Sequence, residues 1–179
     1  LEAAKRLGVE PSESIIVEDS LAGVEAGRNG RFGLVVGVAR DRDPNQLRQA
    51  GAHAVVRDLR DIEQVIRKGG HPARSGTPSS ALERASQIRQ QLSGKRPALF
   101  LDYDGTLTPI VRRPEDATLS DAMRQLLRQL PEYCLVAIVS GRDRQNVEGM
   151  VQVDDLIYAG SHGFDIRGPN GLKLEQEAA

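Results

Sequence analysis

The chain has 179 residues, room for one domain or two small ones. Its 39% hydrophobic and 27% charged residues are those of an ordinary globular protein. A net charge of −1 and an aromatic content of 3% exclude a basic footprint for nucleic acid or an anionic membrane, and argue against base-stacking platforms. One cysteine, Cys134, allows no intrachain disulfide, and it sits beside an apolar run where it reads as a small core residue. No apolar run approaches the ~18 residues of a membrane span, and no signal peptide opens the chain. The expectation is a cytoplasmic protein.

In chain order, LEAAKRLGV (1–9) reads as a helix already under way, ending at Gly8. The chain starts without Met and stops after a turn, so it reads as a fragment cut at both ends. The run IIV (15–17) follows, then a helix over about 22–28, the run LVVGV (34–38), a helix over 45–50, the run AVV (54–56) and a helix near 62–68. Short β-branched runs alternating with helices predict a parallel sheet covered on both faces. Residues 69–80, GGHPARSGTPSS, have the composition of a flexible linker, with His71 as a solvated loop residue. A helix over 81–92 leads to the strand ALFLD (98–102), an irregular segment and a helix over 120–130. The strand CLVAIVS, a helix over 144–150, the strand LIYAG and a turn-rich hairpin through SHGFDIRGPNG complete the chain.

Three apolar runs end in groups that carry chemistry: Ile15–Val17 in Glu18, Asp19 and Ser20; Ala98–Leu101 in Asp102; Leu135–Val139 in Ser140. Open α/β sheets bind ligands outside the carboxyl ends of their strands. A carboxylate there can ligate Mg²⁺ or attack phosphorus. In an extended segment Asp102 and Asp104 point the same way, so one can attack while the other serves as acid and base. Gly105 allows a sharp turn that presents amides to an anion. Ser140 offers a hydroxyl, and Gly141 opens a helix whose amino end favours an anion, with Arg142 beside it. These parts suit phosphoryl transfer. A D-x-D after a strand is by itself most often a turn or cap; LFLDYDGTLT followed by VSGRD at the end of a second strand is far more specific.

The segments PALFLDYDGTLTPIVRRPEDATLS, VAIVSGRD and YAGSHGFDIRGPNG make residues 81–179 resemble the start of a trehalose-6-phosphate phosphatase of the haloacid dehalogenase (HAD) superfamily. The segments AAKRLGVEPSESIIVEDSLAGVEAGRNGRFGLVVGVAR and GAHAVVRDL make residues 1–68 resemble the carboxyl-terminal part of a β-phosphoglucomutase-like HAD protein. The resemblance implies an α/β, HAD-like Rossmannoid parallel sheet, organised as two partial cores joined by the linker. It implies Asp102 as the nucleophile that forms an aspartyl phosphate and Asp104 as the acid and base. Mg²⁺ would be held by the Asp102 side chain and the Asp104 carbonyl, with Glu18 and Asp19 as the acidic metal site of the first unit. Gly105, Thr106, Ser140, Gly141 and Arg142 would bind substrate. The implied substrate is a phosphorylated sugar, trehalose 6-phosphate, with neither nucleic acid nor membrane as partner.

Each segment also departs from the pattern. Residues 81–179 stop before the lysine, acidic pair and cap that complete such a site, and residues 1–68 lack a nucleophile strand and lysine. Lys5 and Lys173 are poorly placed to be that lysine, so this stretch by itself is expected to be inactive. The two segments are complementary, since the first holds late strands and the second early ones. One permuted core with Glu18 and Asp19 beside Asp102 is nevertheless disfavoured, because strand faces shaped for different partners rarely match at core packing density. The alternatives for the first segment are a β-phosphoglucomutase-like or other sugar phosphatase activity, or a docking or regulatory module without catalysis. His162 reads as a turn residue in preference to a substrate contact, His53 as a surface residue, and the arginines of RRPEDA and RDLRDIEQVIR as solvated.

Overall fold

The computed structural model describes residues 1–40, 42–61 and 97–175. The expected linker, the helix near 62–68 and the helix over 81–92 lie outside the described residues. In chain order the elements are α1 (Glu2–Arg6), β1 (Ser14–Glu18), α2 (Leu21–Asn29), β2 (Leu34–Val38), α3 (Pro44–Gln49), β3 (Ala54–Val56), β4 (Ala98–Asp102), α4 (Asp121–Gln129), β5 (Leu135–Val139), α5 (Arg144–Val151), β6 (Ile157–Gly160), β7 (Asp165–Arg167) and β8 (Lys173–Glu175).

Local chemistry sets these boundaries. The Ser20 hydroxyl accepts from the Gly23 amide at 3.0 Å and starts α2; Ser120 does the same for Met123 at 3.2 Å and starts α4. On α4, Met123, Leu126 and Leu127, with Leu130 just beyond its end, fall on one face and are buried together. Gly8 (φ +66°) ends the first helical turn in the left-handed region, which suits glycine.

The strands form one eight-stranded sheet in the order β3-β2-β1-β4-β5-β6-β7-β8. Pairing is parallel from β3 across to β6, and β7 and β8 add an antiparallel hairpin at the edge, as the turn-rich tail predicts. Alternate residues go to opposite faces. Ile15, Val17, Leu99, Leu101, Val136 and Ile138 lie in one core; Ala98, Phe100, Ala137 and Ala159 lie in the other. In the second core Phe32 meets Phe100 edge to face at 5.7 Å.

Two partial cores were expected from the sequence. Instead, strands from both segments lie side by side, with β1 parallel to β4 and Ile15 opposite Leu99, Val17 opposite Leu101. The mismatch of strand faces does not arise here because both faces are plain aliphatic. Ile15, Val17, Leu99 and Leu101 are each at most 1% exposed, and hydrophobic residues of about the right volume suffice to build a core. His53 also differs from expectation. It is half-buried, with its Nδ1 3.0 Å from the Val35 amide and its Nε2 2.7 Å from the Arg28 guanidinium, so it braces β2. Cys134 is buried in the core as expected.

A double-mutant cycle in urea checks the shared sheet. Leu101→Ala is expected to cost about 2–5 kcal/mol. Combined with Val17→Ala it should show a coupling of about 0.5–3 kcal/mol, whereas strictly additive costs would mean that β1 and β4 do not share a core.

Candidate active site

The junction of β1 and β4 is the point where the chain order turns: β2 and β3 lie to one side of it, β5 and β6 to the other. Parallel strands diverging from such a point leave a crevice at their carboxyl ends. Val17 is opposite Leu101 and Asp102 is opposite Val139. The residues that end β1, β4 and β5 therefore reach the same edge: Glu18 and Asp19, Asp102, and Ser140.

The carboxylates of Glu18, Asp19 and Asp102 come together, each offering an oxygen within 4.8 Å of the others. Two glycines make room for them. A Cβ on Gly105, whose φ is +89°, would collide with the Asp19 carboxylate, and one on Gly23 would collide with that of Glu18. The Arg40 guanidinium donates to the Gly105 and Thr106 carbonyls at 3.2 and 2.9 Å, tying the turn after β4 to the first segment. Thr106 itself is buried.

Close packing of three acids disfavours their charges. Burial, then the neighbouring charges of Glu18 and Asp19, push the Asp102 carboxyl up to about 8. Burial and the charge of Asp19 push Glu18 up to about 7. Burial also raises Asp19, against the opposing pull of Arg42. A group of buried oxygen donors that resists holding its own charge is a fit receptor for a hard divalent cation. Glu18, Asp19 and Asp102 would hold it, and it would supply positive charge against the acidic cluster and any anion bound there.

Asp104 behaves differently from Asp102. The strand ends at Asp102, and Asp104 lies in the following turn, exposed, rather than two places along one extended segment. Its two carboxylate oxygens accept from Arg142 at 2.6 and 2.7 Å. Arg142 in turn lies over the Tyr103 ring, 5.5 Å from its centroid, and Tyr103 is buried with its hydroxyl donating to the Ala117 carbonyl at 2.6 Å. The Ser140 hydroxyl accepts from the Arg142 amide at 3.1 Å, and Ser140 is buried.

The expectation that Gly141 opens a helix is corrected. α5 starts at Arg144, and its cap is the Asp143 carboxylate, which accepts from the Gln145 and Asn146 amides at 2.9 and 3.3 Å. A side-chain anion already occupies the helix amino end, so Gly141 and Arg142 act from a loop. Three contributors escaped the sequence reading: Arg40, Tyr103 and Arg142's grip on Asp104. An arginine after an apolar strand carries no signal of which distant carbonyl it reaches. Lys5 is exposed on α1 and Lys173 is exposed on the edge strand β8.

Residues 100–179 match the trehalose-phosphatase family model. Along its whole length the chain is 44% identical to an uncharacterised glycosyl hydrolase of Mycobacterium tuberculosis, of which it covers 13%. Over 99% of the chain it is 40% identical to a trehalose-phosphate phosphatase of Mycobacterium avium, of which it covers 44%. The chain thus spans less than half the length of these relatives. A solved trehalose-6-phosphate phosphatase of Aspergillus fumigatus is 35% identical over 54% of this chain and 36% of its own, with a TM-score of 0.45. Among the described residues no helix is long and apolar enough to cross a membrane.

The acidic cluster makes a pH-dependent prediction. Without metal, the folded state keeps protons on Glu18 and Asp102 up to about 7 and about 8, while the unfolded chain gives them up near 4. The folded state binds more protons over that window, so stability falls as pH rises from about 4 to about 8. The melting temperature in chelator should drop over this range. A divalent cation should raise it more at pH 8 than at pH 5, because at pH 5 protons compete for the ligands. An equal rise at both values would remove the cluster as the cation site.

Proposed function

We propose that this chain carries the nucleophile and acidic centre of a Mg²⁺-dependent trehalose-6-phosphate phosphatase, which releases trehalose and phosphate through an aspartyl phosphate. The observation that carries the reading is the meeting of Glu18, Asp19 and Asp102 at the carboxyl ends of adjacent parallel strands. The match of residues 100–179 to the trehalose-phosphatase family supports the sugar substrate.

In this reading an Asp102 oxygen attacks phosphorus and the bond to the sugar oxygen breaks. The leaving sugar takes a proton from Asp104. Asp104, now ionised, draws a proton from water, which attacks the acyl phosphate; phosphate leaves and Asp102 is restored. Ser140 donates its hydroxyl to a phosphoryl oxygen, while the turn Gly105–Thr106 offers backbone amides. Mg²⁺ would be held by Asp102, Glu18 and Asp19, with the Asp104 carbonyl, and would supply charge stabilisation. Arg142 has to give up Asp104 when substrate arrives, and an incoming phosphate is a natural competitor for a guanidinium.

We further propose that residues 1–68 derive from a β-phosphoglucomutase-like unit and 81–179 from the phosphatase, joined through 69–80. Within this chain the first unit lends Glu18 and Asp19 to Asp102. Turnover by the whole protein also needs the lysine and cap that the resemblance places elsewhere.

The test is phosphate release from trehalose 6-phosphate by the full-length protein, with and without Mg²⁺, beside Asp102→Asn. Release should require Mg²⁺ and fall by roughly 10⁴-fold or more in the variant. Release that survives Asp102→Asn would assign the activity to another centre, and no release from trehalose 6-phosphate would overturn the substrate.

A further inference from the structure

The single turn Ser161–Gly163, directly after β6, has a backbone that its sequence does not favour. Ser161 (φ +49°), His162 (φ +58°, ψ +27°) and Gly163 (φ +93°) are all left-handed, and the first two are not glycine. Such conformations persist in non-glycine residues only where surrounding contacts impose them. Here the contacts are specific. The Ser161 amide donates to the Arg142 carbonyl at 2.7 Å and the His162 amide to the Ser140 carbonyl at 3.0 Å. From the first segment, the Arg6 guanidinium donates to the Gly163 and Phe164 carbonyls at 2.8 and 2.6 Å. The turn is thus fastened to the loop that carries Ser140 and Arg142.

The imidazole lies against Gly141: a Cβ placed there would meet its Cε1 at 2.9 Å and its Nε2 at 3.2 Å. The same side chain lines a mostly apolar cavity, in which Asp102 and Glu18 meet Ala3, Ala4, Phe32 and Phe100. It remains exposed, so it is open to a ligand. Histidine is among the non-glycine residues that adopt this backbone most readily, but the turn by itself makes no use of its ring. What histidine adds is a ring nitrogen at the wall of the cavity that Asp102 enters.

We propose that His162 is a substrate-contacting residue, whose imidazole hydrogen-bonds a non-bridging oxygen of the phosphoryl group held against Asp102. This rests on the phosphatase reading above. The test is steady-state kinetics of the full-length protein on trehalose 6-phosphate, with inorganic phosphate as inhibitor, comparing wild type with His162→Gly. Glycine removes the ring and relieves the backbone, so the melting temperature should hold or rise. The KM for trehalose 6-phosphate and the inhibition constant for phosphate should both increase about tenfold, the effect of losing one hydrogen bond to a charged group. If glycine loosens the turn and the melting temperature falls, His162→Asn, which tolerates the left-handed backbone, takes its place with the same expectation. Constants within about twofold of wild type in a stable variant would overturn the contact while leaving the phosphatase reading intact. A wild type that releases no phosphate would overturn both.

Discussion

Three carboxylates brought within 4.8 Å of one another are the constraint on which the rest of this structure turns. Like charges that close, partly out of water, cannot all be ionised without a counter-charge. The protein must therefore protonate them or accept a cation, and the surrounding architecture follows from that choice. Gly23 and Gly105 lack side chains where any atom would strike a carboxylate. Arg40 holds the turn after β4 through its carbonyls, leaving the carboxylates free for a ligand.

The cluster depends on a sheet assembled from both ends of the chain. Glu18 and Asp19 follow β1, Asp102 ends β4, and the two strands pair in register. Further ties cross between the segments at the same edge: Arg40 to the Gly105 turn and Arg6 to the turn at Gly163. The first segment thus buttresses the backbone around the second segment's site as well as supplying acids to it. The aliphatic strands permit this union because they carry volume and hydrophobicity without finer instructions about their neighbours.

Asp102 and Asp104 are separated by one residue and have different surroundings. Asp102 sits among acids and is pushed towards its neutral form. Asp104 is gripped at both oxygens by Arg142, which is itself steadied on the Tyr103 ring. These surroundings are the reverse of what the proposed nucleophile and proton donor need, so a cation at the acidic cluster and the release of Asp104 by Arg142 would have to exchange them. Asp104 faces a guanidinium in this structure, and the proposed mechanism requires it to leave that partner before it passes a proton.

Much of this was legible in the sequence. The alternation of β-branched runs and helices determined a parallel α/β sheet, because covered parallel strands need continuous apolar runs with crossovers between them. The ends of those runs named Glu18, Asp19, Asp102 and Ser140, because strand ends are where such sheets expose chemistry. Local patterns cannot say which strand lies beside which, since Val17 and Leu101 read as well with other neighbours. The tertiary structure alone decided that β1 adjoins β4 and so joined the acids of one segment to the aspartate of the other. It also decided that Asp143 caps α5, that Arg142 holds Asp104, and that a strained turn sets His162 over Gly141. Those are contacts between residues far apart in the chain or conformations imposed by such contacts, and side-chain identity by itself carries no record of them.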